Sequence, residues 1–306
     1  MLARRRRVAQ FLSSVLASVT QDRYNKAVAN FQEWLFAERL AFDALPPEEQ
    51  DLVLADFGLT QREQGAPLQD FRDLLAALQK YYPSRPLKTS WKVITAWSKD
   101  RPPQQVPPMP EELAGAMAVL LAAAGRPGIG MMIALSFAGM LRISEALRLR
   151  WRDLYPSERG LMLRLAETKA GCTEYVVIQN PHTAKFVLGL RPPGALDDDR
   201  LCPVGYSSFR FWFQCAAKVL GCGHLGLKSH SLRRGGATSR LMRGYTLAQI
   251  MVEGRWASEG SCRLYLKSSE AAILAMRRDL RPEKKVLVET LARAWAQVVV
   301  NSCLKL

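Results

Sequence analysis

The sequence predicts an α+β fold that is mainly α, with a small four-helix domain followed by a larger mixed domain that holds one β-hairpin. Apolar residues recur at helical spacing in four segments between residues 20 and 100. Five prolines in residues 101–110 then interrupt the helical pattern. Residues 161–178 carry the convincing alternation of apolar and polar side chains that is typical of strands.

In the first domain, a helix is expected from Thr20 onward, a second after Pro46-Pro47, and a third and a fourth before residue 100. Residues three and four apart share a helical face, so apolar residues at that spacing mark the buried side. The residues expected on the buried faces are Tyr24, Ala27, Val28, Phe31, Trp34, Leu35, Phe71, Leu74, Leu75, Leu78, Trp91, Ile94 and Trp97.

The proline-rich stretch "RPPQQVPPMP" cannot continue a helix and predicts a stiff linker between two domains. The expected organisation is a basic N-terminal arm (1–19), a helical domain (20–100), the linker (101–110), a second domain (111–281) and a C-terminal helix (282–306). That last helix presents Leu287, Leu291, Trp295 and Val298 on one face, either for packing in cis or for exchange with another protomer.

The second domain is expected to begin with two apolar helices. A strand ("LMLRLAET") and a second strand ("EYVVI") follow, with Lys169 at the start of the turn that joins them. Thr246 and Gln249 form a T-x-x-Q capping box, and Gly254 is expected to close that helix. The remaining helices are expected at 184–190, 208–220, 232–242 and from Ser258 onward, the last carrying Tyr265.

The charge of the chain points to a polyanionic partner. The net charge is +15, of which residues 1–100 contribute +2 and the remaining residues +13. A basic excess confined to one domain is expected where that domain grips nucleic acid. The partner expected from charge is therefore DNA or RNA, although basic surfaces also aid solubility.

Metal, disulfide and membrane roles find little support in the sequence. The six cysteines lack the density of a disulfide framework, and Cys215, Cys222, His224 and His230 do not match zinc-ligand spacing. Apolar runs are broken before they reach membrane-spanning length. The segment after Arg4–Arg7 has the outline of a signal or transit peptide, but a basic arm lying on a phosphate backbone is the favoured interpretation, with Arg4, Arg5, Arg6 and Arg7 as DNA-binding residues.

Five segments of the second domain carry the residue types needed to cut a phosphodiester. Two arginines can hold the non-bridging oxygens, a lysine can protonate the leaving oxygen, a histidine can move a proton, and a tyrosine can be the nucleophile. The candidates are Arg142 in "LRISE", Lys169, His230 and Arg233 in "HSLRRGGAT", Trp256 in "EGRW" and Tyr265 in "CRLYLK".

This order of motifs resembles the tyrosine recombinase (phage integrase) superfamily. "GMLRISEALRLRW" is similar to its first arginine box, "ETKAG" to its lysine hairpin and "HSLRRGGAT" to its His-x-x-Arg box. "EGRWASEGSCRLY" is similar to the box that ends in the nucleophile. The resemblance covers nearly the whole chain and implies an N-terminal four-helix SAM-like core-binding domain, which clamps DNA, before the catalytic domain.

The resemblance implies a role for each candidate. Arg142 and Arg233 would clamp the phosphate, Lys169 would be the general acid and His230 would assist proton transfer. Trp256 would fill the site more often held by histidine, Tyr265 would be the nucleophile, and Glu145, one turn after Arg142, would orient the active-site groups. The Gly235-Gly236 pair would let a neighbouring helix or strand approach closely behind the site.

The sequence departs from the family at two positions. Arg234, expected to have a structural or DNA-binding role, stands where many relatives have another histidine. Trp256 replaces histidine, and "GRW" resembles the recombinases of eukaryotic mobile elements, including those encoded by retrotransposons.

The function implied is site-specific recombination or integration through a 3′-phosphotyrosyl intermediate, needing no metal, cofactor or ATP, by a homotetramer on two double-stranded DNA sites. A catalytically silent DNA-binding relative and a type IB topoisomerase are the alternatives. The expected location is the nucleus for a eukaryotic protein, or the cytoplasm and nucleoid for a prokaryotic one; an organelle ranks behind both.

Overall fold

The computed structural model describes residues 18–101, 105–166 and 172–302, with side chains from 19 to 294 within those ranges. The chain divides into two compact units that meet at residues 104 and 105, within the proline-rich stretch. In the described part of the chain, no helix is both long and apolar enough to cross a membrane.

The first unit is helical, as predicted. Its described elements are α1 (Ser18–Ala37), a 3₁₀ turn (Phe42–Ala44), α2 (Pro47–Glu63), α3 (Leu68–Tyr81) and α4 (Lys88–Asp100). Helix α1 packs on α3, and α2 packs on α4. The core includes Phe31, Phe57, Phe71 and Leu74, and the rings of Phe31 and Phe57 meet edge to face at a centroid distance of 5.1 Å. Most of the predicted buried positions are confirmed, but Trp91 is 37% exposed.

A buried carboxylate on α2 fixes the start of α4. Asp51 Oδ2 accepts a hydrogen bond from the backbone N–H of Thr89 at 2.7 Å, and Oδ1 accepts from the N–H of Ser90 at 3.0 Å and from its hydroxyl at 2.7 Å. These N–H groups lie in the first helical turn, where no intrahelical acceptor is available. Although burial opposes it, the bonds from Ser90 and Thr89 hold the pKa of Asp51 below its ordinary value.

The second unit is also mainly helical and contains a small sheet, which confirms the predicted α+β class. Its described elements are α5 (Glu111–Ala123), α6 (Pro127–Ala138), α7 (Ile143–Ala146), a 3₁₀ turn (Trp151–Asp153), β1 (Leu154–Ser157), β2 (Gly160–Leu165), β3 (Glu174–Ile178), α8 (Pro181–Gly189), α9 (Tyr206–Val219), a 3₁₀ turn (Gly223–Leu225), α10 (Ser229–Met242), α11 (Leu247–Gly254), α12 (Glu259–Leu266), α13 (Ser269–Asp279) and α14 (Pro282–Ser302).

The sheet has one strand more than the predicted hairpin in the described residues. Strand β2 pairs antiparallel with β3, as expected, and also with β1, in the order β1-β2-β3. Leu163 lies opposite Leu154 on one side and Val176 on the other. Sequence reasoning missed β1 because Leu154–Ser157 is short and ends in Pro-Ser, which is more typical of a turn.

Helices α5 and α6 form the centre of the second core, and α14 packs on α5 and α8. Val288 is buried, and Leu287 and Leu291 pack against the core, so the first half of α14 lies in cis within this chain. Packing in cis is the first of the two arrangements expected for the C-terminal helix. The side chains of Trp295 and Val298 lie outside the described residues.

Candidate active site

Arg142 stands immediately before the short helix α7 and is held by Glu145. The Glu145 side chain is 4% exposed, and its Oε1 accepts a hydrogen bond from the Arg142 guanidinium at 2.6 Å. Its Oε2 accepts from the backbone N–H of Arg142 at 2.9 Å. Burial acts to raise the pKa of Glu145, but these bonds and the charges of Arg255 and Arg142 lower it overall. Glu145 therefore stays ionised and orients Arg142 in both backbone and side chain.

His230 and Arg233 lie one turn apart on α10. Arg233 is 1% exposed, and its guanidinium donates to the carbonyl oxygens of Met140 and, at 2.5 Å, Gly254. Burial, followed by the charges of Arg142 and Arg255, lowers the pKa of Arg233 to about 10. It therefore remains a cation at neutral pH, buried in a cluster of positive charge that an anion would relieve.

The two glycines after these arginines give α10 its place. A Cβ on Gly235 would lie 2.1 Å from the carbonyl oxygen of Met109, and a Cβ on Gly236 would lie 2.2 Å from that of Phe137. The expected close approach behind the site is therefore confirmed, by the segment before α5 and by the end of α6. The close packing that the two glycines allow offsets their low helix propensity.

Tyr265 on α12 faces His230 and Trp256. Its hydroxyl group is in hydrogen-bond contact with Nε2 of His230. The indole of Trp256 meets the Tyr265 ring edge to face at a centroid distance of 5.4 Å, and the guanidinium of Arg233 lies over the indole at 4.4 Å. The indole of Trp256 thus contacts both the buried arginine and the tyrosine.

The surroundings shift the pKa values of both groups that share this hydrogen bond. Desolvation, followed by the charges of Arg233, Arg142 and Arg234, lowers the pKa of His230, although the residue keeps an exposed edge. Desolvation raises the pKa of Tyr265, and the same arginines oppose that rise. At neutral pH the pair is therefore a neutral imidazole beside a protonated phenol. The imidazole can accept the phenolic proton as that oxygen becomes a nucleophile.

A small apolar cluster supports this arrangement. Met140, Ala237, Ile250 and Cys262 are fully buried beneath the site, and Trp256 packs against them. They come from the turn after α6 and from α10, α11 and α12. The site residues are therefore placed by one shared core.

Arg255 is a site residue that sequence reasoning missed. Gly254 was expected to close α11, and it is the last helical residue, but the left-handed residue that follows the helix is Arg255, with a φ of 57°. Gly254 is required for a different reason, because a Cβ there would lie 1.7 Å from the indole of Trp256. The Arg255 side chain is 6% exposed and pairs with Glu145 at 2.8 Å and with Glu174 at 2.9 Å. The arginine inside "GRW" was the available signal.

The structure brings five of the six predicted catalytic residues together, namely Arg142, His230, Arg233, Trp256 and Tyr265, and places Glu145 among them. Lys169 and the arm residues Arg4–Arg7 lie outside the described residues. Among the described residues, no group of three or more His, Cys, Asp or Glu side chains could hold a metal ion.

Arg234 does not fit its expected role as a DNA-binding residue. Its guanidinium points inward and donates to three carbonyl oxygens: Tyr265 at 2.7 Å, Val106 at 2.7 Å and Lys267 at 3.1 Å. The residue is 7% exposed. This geometry corrects the expectation of a phosphate contact and gives Arg234 the structural role, because the side chain ties the C-terminal end of α12 and the segment before α5 to α10.

Comparison with solved structures finds the same fold. The Tn1549 transposon integrase, in complex with transposon right end DNA, superposes with a TM-score of 0.61 at 13% identity, covering 88% of this chain and 99% of that chain. The XerH site-specific recombinase, in a post-cleavage complex with palindromic difH substrate, gives 0.59 at 13% identity, covering 84% and 79%. No family model and no curated protein matches the sequence. The fold is that of tyrosine recombinases.

Proposed function

We propose that this chain, which has the tyrosine recombinase fold, is a DNA recombinase that cuts and rejoins strands through a covalent phosphotyrosyl intermediate. The observation that carries the proposal is the contact between the Tyr265 hydroxyl and His230 Nε2, beside a buried cluster of arginines. A nucleophile, a base and cationic groups in one place are the parts that phosphoryl transfer requires.

In the proposed reaction, Tyr265 Oη forms a bond to the phosphorus atom and the bond from phosphorus to the 5′-oxygen breaks. The phenolic proton passes to His230 Nε2, and the 5′-oxygen takes a proton from Lys169, the role that the family resemblance gives that residue. Attack by a 5′-hydroxyl of a partner strand reverses these steps. Because each ester bond is exchanged for another, rejoining needs no external source of energy.

Arg142 and Arg233 would stabilise the charge on the non-bridging oxygens. A guanidinium carries five N–H donors in a planar fork. Arg233 uses terminal nitrogens for the carbonyls of Met140 and Gly254, so N–H groups on those nitrogens remain for a phosphate. Because Arg233 is buried, a phosphate bound there would be held in a setting of low dielectric constant, where the attraction is strong.

The partner in this proposal is double-stranded DNA. Both solved structures described above contain DNA, and most of the basic excess of this chain lies after residue 100. We further propose that recombination requires a homotetramer on two DNA sites. The proposed place of action follows the DNA: the nucleus, or the nucleoid of a prokaryote.

The test uses duplex DNA selected from a random pool by binding to the full chain, then nicked so that cleavage traps the covalent adduct. Denaturing gels would compare the wild type with Tyr265→Phe, whose DNA affinity is measured in parallel. The expected result is an adduct from the wild type and none from a variant that still binds.

Two other outcomes would replace the proposal with a different function. Tight DNA binding by the wild type without an adduct on any selected nicked duplex would identify a silent DNA-binding relative. An adduct accompanied by relaxation of supercoiled plasmid, but no exchange between two labelled duplexes, would identify a topoisomerase-like enzyme. An adduct that survives in Tyr265→Phe would show that another residue is the nucleophile.

A further inference from the structure

Arg255 joins three parts of the candidate site that are far apart in sequence. Its NH2 donates to Glu145 Oε2 at 2.8 Å, and its Nε lies 2.9 Å from Glu174 Oε2. Glu145 holds Arg142, and Glu174 is the first residue of β3. The next residue along the chain, Trp256, packs against Tyr265 and under Arg233.

The backbone at Arg255 is costly, which indicates that the side chain has a role. A non-glycine residue with φ of 57° lies in the left-handed region, which glycine occupies without penalty. Here an arginine takes that conformation and buries its charge, with 6% of the side chain exposed. Strain of this kind persists where the surrounding structure fixes it, and it clusters at functional sites.

The left-handed turn sends consecutive side chains in different directions. Arg255 reaches the two carboxylates, while Trp256 reaches the tyrosine. One peptide unit is therefore anchored on one side to the Arg142–Glu145 pair and on the other to the residues around the nucleophile.

Glu174 extends this anchoring to the sheet. It pairs with Leu165 at the end of the β2–β3 ladder, where the strands lead into the segment that contains Lys169. An ion pair there fixes that end of the ladder beside Glu145. The pair is shielded from solvent, because Arg255 Nε and Glu174 Oε2 are both buried atoms; neither makes a hydrogen bond within the described part of the chain, so the attraction between them is one of charge.

We propose that Arg255 is a positioning residue that holds the Arg142–Glu145 pair, the end of the β2–β3 ladder and Trp256 in one arrangement for strand cleavage. The proposal rests on the recombinase function proposed above. Arg255 touches no reacting atom in this scheme and acts through Glu145, Glu174 and Trp256. Its loss would therefore slow the chemical step without weakening the binding of DNA.

The main variant is Arg255→Gln, and its matched control is Arg278→Gln. Arg278 is 82% exposed on α13 and pairs with its neighbour Asp279, so both variants lose one positive charge. Single-turnover adduct formation on nicked DNA and the Kd for the same DNA are measured separately. The expected result for Arg255→Gln is adduct formation at least about tenfold slower than in the control, with the same Kd as the control.

Further variants separate positioning from folding. Arg255→Gly relieves the left-handed backbone but leaves Glu145 and Glu174 without their shared partner, so adduct formation should still be slow at a temperature where circular dichroism shows the variant to be folded. Arg255→Lys retains the charge but has one donor nitrogen, so it should recover part of the rate. If Glu174 acts through Arg255, Glu174→Gln should add no further loss to Arg255→Gln.

A readout that needs no cleavage accompanies these rates. Amide hydrogen exchange in β3 should be faster in Arg255→Gln than in Arg278→Gln, because the end of the ladder loses its anchor. Unchanged exchange in β3, or an adduct rate equal to that of the control, would overturn the role of Arg255. Absence of an adduct from the wild type would overturn the proposed function instead, and the exchange comparison would still decide whether Arg255 anchors the hairpin.

Discussion

The hydroxyl group of Tyr265 and Nε2 of His230 are in hydrogen-bond contact, although 35 positions of sequence separate the two residues and they lie on different helices. The rings meet edge to face at a centroid distance of 5.2 Å. Helices α10 and α12 pack together over a shared apolar cluster. The packing of the second unit therefore brings the two side chains together. Their contact is the relationship on which the proposed chemistry depends.

This contact predicts the pH dependence of cleavage. The surroundings of His230 lower its pKa below the ordinary histidine value of about 6.5. The imidazole is therefore mostly neutral near neutral pH and becomes protonated only under more acidic conditions. The single-turnover rate of adduct formation should therefore be flat near neutrality and fall as the pH drops through the lowered pKa. The prediction is checked by measuring the single-turnover rate of adduct formation on nicked DNA between about pH 5 and pH 8.

The control for that experiment is a histidine away from the site. His230→Ala should slow adduct formation by about 10²-fold or more, and the remaining rate should lose the acidic limb. His182→Ala, at an exposed position on α8, should behave like the wild type. An acidic limb that persists in His230→Ala would assign the titration to another group.

Gly254→Ala should damage the site by displacing Trp256. The new Cβ would lie 1.7 Å from the indole, so the ring or the end of α11 has to move. Overpacking of this kind typically costs about 1–3 kcal/mol of unfolding free energy. Gly260→Ala on α12 is the control, since nothing lies within 4 Å of its Cβ and alanine favours the helix. Urea unfolding and the adduct rate of both variants check this; equal behaviour would contradict the crowding at Gly254.

Arg234→Gln should lower stability without changing the electrostatics of DNA binding. Loss of the guanidinium leaves the carbonyl oxygens of Tyr265, Val106 and Lys267 short of donors, at about 1–3 kcal/mol for a buried unsatisfied group. The slope of log Kd against log salt should match that of the wild type. A slope smaller by about 0.9 would mean that Arg234 contacts a phosphate after all.

Asp51→Asn should destabilise the first unit in a manner that depends on pH. The pKa of Asp51 is depressed in the folded state, so its contribution is fully present above the unfolded value of about 3.9 and is lost as the pH falls through the folded value. At neutral pH the free energy of unfolding of the variant should be about 1–3 kcal/mol lower than that of the wild type. In strong acid the two free energies should become equal. Urea unfolding at several pH values checks this, and a constant difference would contradict the assignment.

Much of the fold follows from local patterns in the sequence. The spacing of Phe71, Leu74 and Leu75 predicts the buried face of α3, and Thr246 with Gln249 predicts the start of α11. Both signals are local, since side chains three and four positions apart meet on a helix without help from the rest of the chain. The predicted burial of Trp91 is wrong because helical spacing does not show how far a packed face extends.

The candidate site was predictable where residue type and order carry the signal, as for His230, Arg233 and Tyr265. The partners of buried arginines were not predictable. Arg234 has the same residue type as Arg233, yet its donors go to carbonyl oxygens from two separate places in the chain, the end of α12 and the segment before α5. The left-handed backbone of Arg255 was missed because the adjacent glycine is the residue that usually adopts it.

Five candidate catalytic side chains converge within a single polypeptide, and this has a consequence for mixtures of chains. In the proposed reaction the tyrosine and its arginines act from the same subunit, so a chain that lacks Tyr265 could not be complemented by one that lacks Arg233. In the proposed tetramer, a mixture of wild-type and Tyr265→Phe subunits would have as many cutting centres as it has wild-type subunits. An inactive subunit would then lower activity by occupying a place in the tetramer.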